Sequence, residues 1–190
     1  MPSTTNKVKF GLKNVYFAKL TQETPGGTPT YATPVAWPGA VNLTLDAEGS
    51  LDPFRADNVD YWIGSSNNGY SGSFESALIP DAFRTTILGE VKDATSGLLY
   101  EDASATIEPF ALLFQVEGDA EARRYVIYNV KATRPSIGSQ TTDTSITPVT
   151  ESLDIRAAAL VVGEHAYIQG KVGPEDSAYA NFFQAVTLPA

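Results

Sequence analysis

Cysteine is absent from the 190 residues, and histidine occurs once, at His165. The first absence removes disulfides, thiolate–zinc sites and thiol nucleophiles together. The second leaves a single imidazole for any Ser/His/Asp arrangement. That imidazole sits between Glu164 and Ala166, in an expected loop or strand end, and reads as an incidental surface histidine. No run of 18 apolar residues appears, and no charged start followed by a short apolar core, so neither a membrane span nor a signal peptide is expected. Also missing are a Walker A sequence, a Gly-x-Gly-x-x-Gly following a strand and the spacing of an EF-hand. The nearest approach to a nucleophile elbow, residues 69–73 (GYSGS), lacks the closing glycine and leads into a strand instead of a helix.

Basic residues are few: 13 Lys and Arg stand against 22 Asp and Glu, a net charge of −9. That balance argues against a surface built to grip nucleic acid. Arg123-Arg124 is too short a cluster for such recognition and fits edge-strand charge that opposes aggregation. The acids do offer pairs, Asp57 with Asp60 and Glu101 with Asp102, of the kind that perform acid–base hydrolysis. A chain with 22 acids yields such pairs by number alone. Asn42-Leu43-Thr44 matches the glycosylation pattern but, without a secretion signal, reads as strand. No catalytic residue, no metal ligand set and no cofactor is expected, and the chain is not expected to be an enzyme.

What is present is a globular composition, 43% hydrophobic with nine Phe, nine Tyr and two Trp. A single domain is the default at this length. The dominant period is two. Val8, Phe10, Leu12, Tyr16, Ala18 and Leu20 alternate with more polar positions, giving a strand with one buried face. Val41, Leu43 and Leu45 alternate with Asn42, Thr44 and Asp46. Further strands follow: residues 70–79, with Phe74 and Leu78 inward; 110–116; and 124–134, with Val126, Tyr128, Val130 and Ala132 on one side. In residues 149–162, Leu153, Ile155 and Ala157 oppose Thr150, Ser152, Asp154 and Arg156. Asn68-Gly69 predicts a type I′ hairpin turn.

The period changes twice. Pro80 and Asp81 stand at helix-start positions, Phe83, Ile87 and Leu88 share a face, and Gly89 ends the segment. Tyr179, Phe182, Phe183 and Val186 recur at helical spacing and predict a short C-terminal helix. The fold class expected is therefore mainly β, an antiparallel β-sandwich or barrel with one or two short flanking helices.

Residues 46–62 predict a long loop or hairpin extension, with five acids and the aromatics Phe54, Tyr61 and Trp62. Loops this long in compact domains are usually functional, and exposed aromatics call for a covering partner. Charge points the same way. Lys7, Lys9, Lys13 and Lys19 lead the chain without an acid, whereas residues 21–60 carry six acids against Arg55 alone. Basic and acidic segments of this kind attract each other between copies. The contact set expected is Lys7, Lys9, Lys13, Phe54, Arg55, Asp57, Asp60, Tyr61 and Trp62.

Residues 7–16 (KVKFGLKNVY), 38–49 (PGAVNLTLDAEG), 56–61 (ADNVDY) and 65–72 (SSNNGYSG) resemble, in order and spacing, the major tail tube protein family of siphophages of Gram-positive bacteria. Residues 78–84 (LIPDAFR), 109–114 (PFALLF), 132–135 (ATRP) and 150–153 (TESL) continue the likeness. The resemblance implies one tail tube domain over residues 1–190, whose copies form hexameric rings. The rings stack into a virion tube that delivers DNA, assembled in the host cytoplasm. It implies segment 1–6 and loop 46–62 as assembly arms. Implied partners are further copies, a tape measure protein and tail terminator or baseplate proteins. DNA would pass transiently and without specificity, and no membrane binding is implied. Some relatives carry an additional immunoglobulin-like domain, which is not expected within these 190 residues.

Within such a tube, short or acidic side chains on alternating strand positions would line the lumen: Asn42, Thr44, Asp46, Ser73, Glu75, Ser152 and Asp154. A lumen sharing the net sign would repel DNA and let it slide. A different class of reading is a monomeric β-sandwich that binds carbohydrate or protein.

Overall fold

A computed structural model describes residues 10–22, 27–118, 121–139, 141 and 148–189. The first half runs β1 (Leu12–Gln22), β2 (Thr30–Tyr31), β3 (Val35–Ala36), β4 (Ala40–Glu48), β5 (Leu51–Ala56), β6 (Val59–Ser65) and β7 (Gly69–Ser76). A helical segment follows, α1 (Asp81–Phe83) continuing as a π-helical turn (Arg84–Leu88). The second half runs β8 (Val91–Lys92), β9 (Leu99–Tyr100), β10 (Phe110–Val116), β11 (Arg124–Ala132), β12 (Glu151–Ala158), β13 (Leu160–Val162), β14 (His165–Tyr167) and β15 (Gln169–Val172). The mainly antiparallel β class expected from the period-two pattern is what forms.

The main sheet has the order β2-β1-β10-β11-β12-β7-β4, with β3 added on β1 and β15 on β11. One core collects side chains from both ends of this sheet: Leu12, Val15 and Phe17 of β1, Leu43 and Leu45 of β4, and Phe74, Phe110, Leu112 and Leu153 between them. The sheet therefore wraps around that core. Phe83 fills its centre, fully buried, with ring centroids 5.1 Å from Phe17, 4.4 Å from Trp37 and 5.2 Å from Phe110. The Trp37 indole N–H donates to the Ser76 hydroxyl at 3.0 Å, so the one polar atom of that ring is satisfied.

A second core covers the opposite face of β1, β10 and β11, where Ala18, Leu113, Val126 and Tyr128 meet Leu160 and Phe182. These three strands are thus buried on both sides, and the single inward faces expected for β1 and β11 are corrected. In β1, Asn14 takes φ 51° and the register with β10 shifts there. Leu12, Val15 and Phe17 consequently face the first core, while Tyr16, Ala18 and Leu20 face the second. In β11 a second shift in register splits the expected row: Val126 and Tyr128 face the second core, Val130 and Ala132 the first. A bulge reverses the alternation without changing the residues.

The segment at 80–89 forms as a helix closed by Gly89 at φ 79°, although its last turn is π-wound. Thr85 and Thr86 donate their hydroxyls back to the carbonyls of Asp81 and Ala82 at 2.9 and 2.6 Å. Such back-bonding competes with the helical ladder and favours a distorted turn. Arg84 ties the helix to β12 and the following turn, 2.9 Å from Glu151 and 3.2 Å from Glu90. The expected C-terminal helix does not form; residues 174–185 run through successive turns. Tyr179 explains why. Its carbonyl accepts from the Arg124 guanidinium, and its ring lies 3.8 Å beneath that cation, so packing on β11 replaces a helical ladder.

Candidate assembly surfaces

The expected loop at 46–62 is a β-ribbon. β4 pairs with β7 from Ala40↔Ser76 to Glu48↔Gly69, and β5 pairs with β6 from Leu51↔Ser65 to Ala56↔Val59. These ladders are one long hairpin: its base lies in the main sheet and, among the described residues, its outer part pairs only with itself. The turn is Asp57-Asn58, at φ 50° and 63°, the left-handed pair that a type I′ turn demands. Asn68-Gly69 is therefore not the hairpin turn, since β6 and β7 do not pair. Gly69, at φ 95°, returns the chain to the sheet against Ala157, whose carbonyl oxygen leaves no room for a Cβ.

This arm carries Phe54, Arg55, Asp57, Asp60, Tyr61 and Trp62 of the expected contact set. Phe54 pairs across the ribbon with Trp62, whose ring lies against Gly64; Pro53 pairs with Ile63. Tyr61 is 71% exposed and Trp62 63%, and Leu51, Phe54, Val59 and Ile63 are exposed as well. Arg55 and Asp60 form an ion pair at 3.1 Å. Two-stranded ribbons are at best marginally stable alone in water, and a soluble chain rarely displays this much contiguous apolar surface without a partner for it.

Of the basic contact residues, Lys7 and Lys9 lie outside the described residues, as does the expected arm 1–6. Lys13 sits on β1 and pairs with Glu117 at 3.2 Å, so its charge is engaged within the chain.

The seven expected lumen residues all fall on one face of the sub-sheet β4-β7-β12. Asn42, Glu75 and Ser152 form one cross-strand row, Thr44, Ser73 and Asp154 the next, and Asp46 stands opposite Ser71 in a third. Their strand neighbours Leu43, Leu45, Phe74, Leu153 and Ile155 point into the first core. The polar face forms a shallow groove of about 600 Å³.

Gly72 keeps these strands in close contact: a Cβ there would stand 1.9 Å from the Thr44 carbonyl oxygen. We expect Gly72→Ala to cost at least about 2 kcal/mol, lowering Tm by roughly 4–8 °C, as read in a thermal melt followed by circular dichroism.

The expected lumen set leaves out Ser71, Lys131, Thr133 and Arg156, which share this face. Lys131 and Arg156 stand opposite each other, and the Thr133 hydroxyl accepts from the Asp154 N–H at 3.1 Å. Lys131 and Thr133 were hidden because β11 was read as one alternating row, and its bulge moves its outer half to a new phase. Val91, Leu98, Tyr100 and Ile137 are further exposed apolar side chains outside the expected contact set.

Neither carboxylate pair stands free. Asp60 is held by Arg55, and Glu101 pairs with Arg134 at 2.5 Å. The Ser104 hydroxyl and N–H bind the Asp102 carboxylate and hold it below the usual aspartate range. That direction is opposite to what a general acid at neutral pH requires. His165 is exposed on β14 beside Tyr167. Among the described residues no group of three or more His, Asp or Glu side chains is placed to hold a metal ion, and no helix is long and apolar enough to cross a membrane.

No protein-family model matches the chain and no curated protein matches its sequence. Among solved structures, a chain of the anti-feeding prophage (AFP) baseplate, determined by cryo-EM and 6-fold symmetrised, superposes with a TM-score of 0.48 at 10% identity. The superposition covers 91% of this chain and 99% of that one.

Proposed function

We propose that this chain is a structural subunit of a phage-type tail, and that its working form is a stack of rings of identical copies enclosing a channel for DNA. The observation that carries this reading is the self-paired arm formed by β5 and β6, with six apolar side chains exposed on a ribbon that no other described element covers. A ring above or below supplies the cover. The polar face of β4, β7 and β12 supports the channel wall: seven short or acidic side chains share one surface, and its cations, Arg156 and Lys131, stand at its β11 side. Among the described residues β4 pairs only with β7, which leaves its outer backbone groups for a neighbouring copy. The subunit acts by shape and surface, without catalysis or a cofactor. Tape measure, terminator and baseplate proteins are the partners this role requires.

Negative-stain electron microscopy of the concentrated chain, alongside sedimentation velocity, tests the reading. Hollow filaments or stacked rings are expected. A one-chain species at every concentration, also in the presence of tail initiator proteins, would sink it, and a defined complex with an oligosaccharide in that state would favour the monomeric binding module.

A further inference from the structure

One row across the polar face is electrically lopsided. Asp46 stands opposite Ser71, Ser71 opposite Arg156, and Arg156 opposite Lys131. The row therefore begins with an acid at the β4 edge and ends with two cations, Arg156 on β12 and Lys131 on β11. Neighbouring strands lie about 4.8 Å apart, so Asp46 and Lys131 of one copy are separated by about 14 Å. That exceeds the screening length of about 8 Å at physiological salt. Among the described residues, neither Lys131 nor Arg156 forms an ion pair. Like charges directly opposite each other weaken a ladder, so in the isolated chain this arrangement is unfavourable.

The backbone at the two ends of the row is also unfinished. Among the described residues β4 hydrogen-bonds to no strand on its outer side, where Phe10 and Leu12 face Val41 and Leu43 across a groove. β11 pairs with β10 only as far as Val130, because β10 begins at Phe110 and is preceded by Pro109, which has no N–H to give. Lys131 and Ala132 therefore have no ladder partner in β10, and Pro109 lines the groove beside Lys131. The four strands β4, β7, β12 and β11 alternate in direction, each antiparallel to the next. A copy turned about an axis along the strands keeps its direction, so its β4 would lie antiparallel to β11 and continue the alternation.

We propose that these two ends meet between neighbouring copies, with Asp46 of one seated against Lys131 and Arg156 of the next. The contact is head-to-tail and heterologous, the kind that closes into a ring when the rotation allows. It rests on the self-assembly reading and adds which edge meets which and what charge sets the register. The acid of each copy then neutralises the repulsion between the cations of its neighbour.

The test uses two full-length variants, Asp46→Lys and the double variant Lys131→Glu with Arg156→Glu. The substituted side chains are exposed and unpaired, so each variant should melt at the wild-type temperature. Alone, each should need at least about fivefold more protein than wild type before filaments appear. Mixed in equal amounts they should alternate and assemble within about twofold of the wild-type concentration. Wild-type filaments with indifferent variants would overturn this contact and leave the self-assembly reading standing, and so would impaired variants that do not rescue each other. Variants that assemble normally but no longer retain short duplex DNA would assign the cations to phosphate and overturn it as well. A wild-type chain that never assembles removes both readings.

Discussion

Replacing Phe54, Tyr61 and Trp62 together by serine should abolish filament formation while leaving the monomer folded. All three side chains are exposed on the β5–β6 arm, and among the described residues the arm pairs only with itself. The melting temperature of the body should therefore stay within the shift of about 0.5 kcal/mol typical of surface substitutions. Burying one such side chain against a partner contributes about 1.5–3 kcal/mol. Losing three removes on the order of 5 kcal/mol from each contact, or about three to four powers of ten in association. Sedimentation velocity and electron microscopy over a hundredfold range of concentration read the effect. Assembly by the triple variant at the wild-type concentration would mean that the arm is not the contact.

Phe83→Ala should be the most damaging single substitution for stability. The side chain joins the helical segment to Phe17, Trp37 and Phe110, and no part of it reaches solvent. Its removal deletes one ring from three aromatic contacts and leaves a cavity that rigid strands on both sides cannot close. A loss of about 3–5 kcal/mol is expected, a large share of the 5–15 kcal/mol typical of a whole domain. Urea unfolding monitored by tryptophan fluorescence would show the midpoint move with little change in slope. An unchanged midpoint would mean that the core is organised around something else.

Much of this architecture is legible in the sequence, and the exceptions share a cause. Leu153, Ile155 and Ala157 alternate with Ser152, Asp154 and Arg156, and β12 buries the first set and exposes the second. Pro80, Asp81 and Gly89 bracket the helical segment as their backbone preferences demand. The seven polar residues placed on one face do share it, because a period of two carries over from strand to strand once the ladders are in register.

What failed depends on contacts distant in sequence. The bulges of β1 and β11 exist because these strands must serve two cores, and nothing local marks them. Asn68-Gly69 has turn chemistry, yet its glycine answers to Ala157 of β12, while the less obvious Asp57-Asn58 makes the hairpin turn. Leu78, expected inward with Phe74, lies past the end of β7 and is 66% exposed. Helical spacing from Tyr179 to Val186 reflects packing on a sheet face, where Phe182 is buried and Phe183 stacks on Tyr16 at 4.8 Å. Lys131 shows the functional consequence: a bulge upstream of it changes which residues its side chain joins.

A cryo-EM reconstruction of the assembled chain bears most directly on the claim that copies enclose a channel walled by the polar face. Thr44, Ser73 and Asp154 should line the inner wall, with the arm of each subunit buried against another ring. Density that places this row on the outer surface, or leaves the arm in solvent, would contradict it.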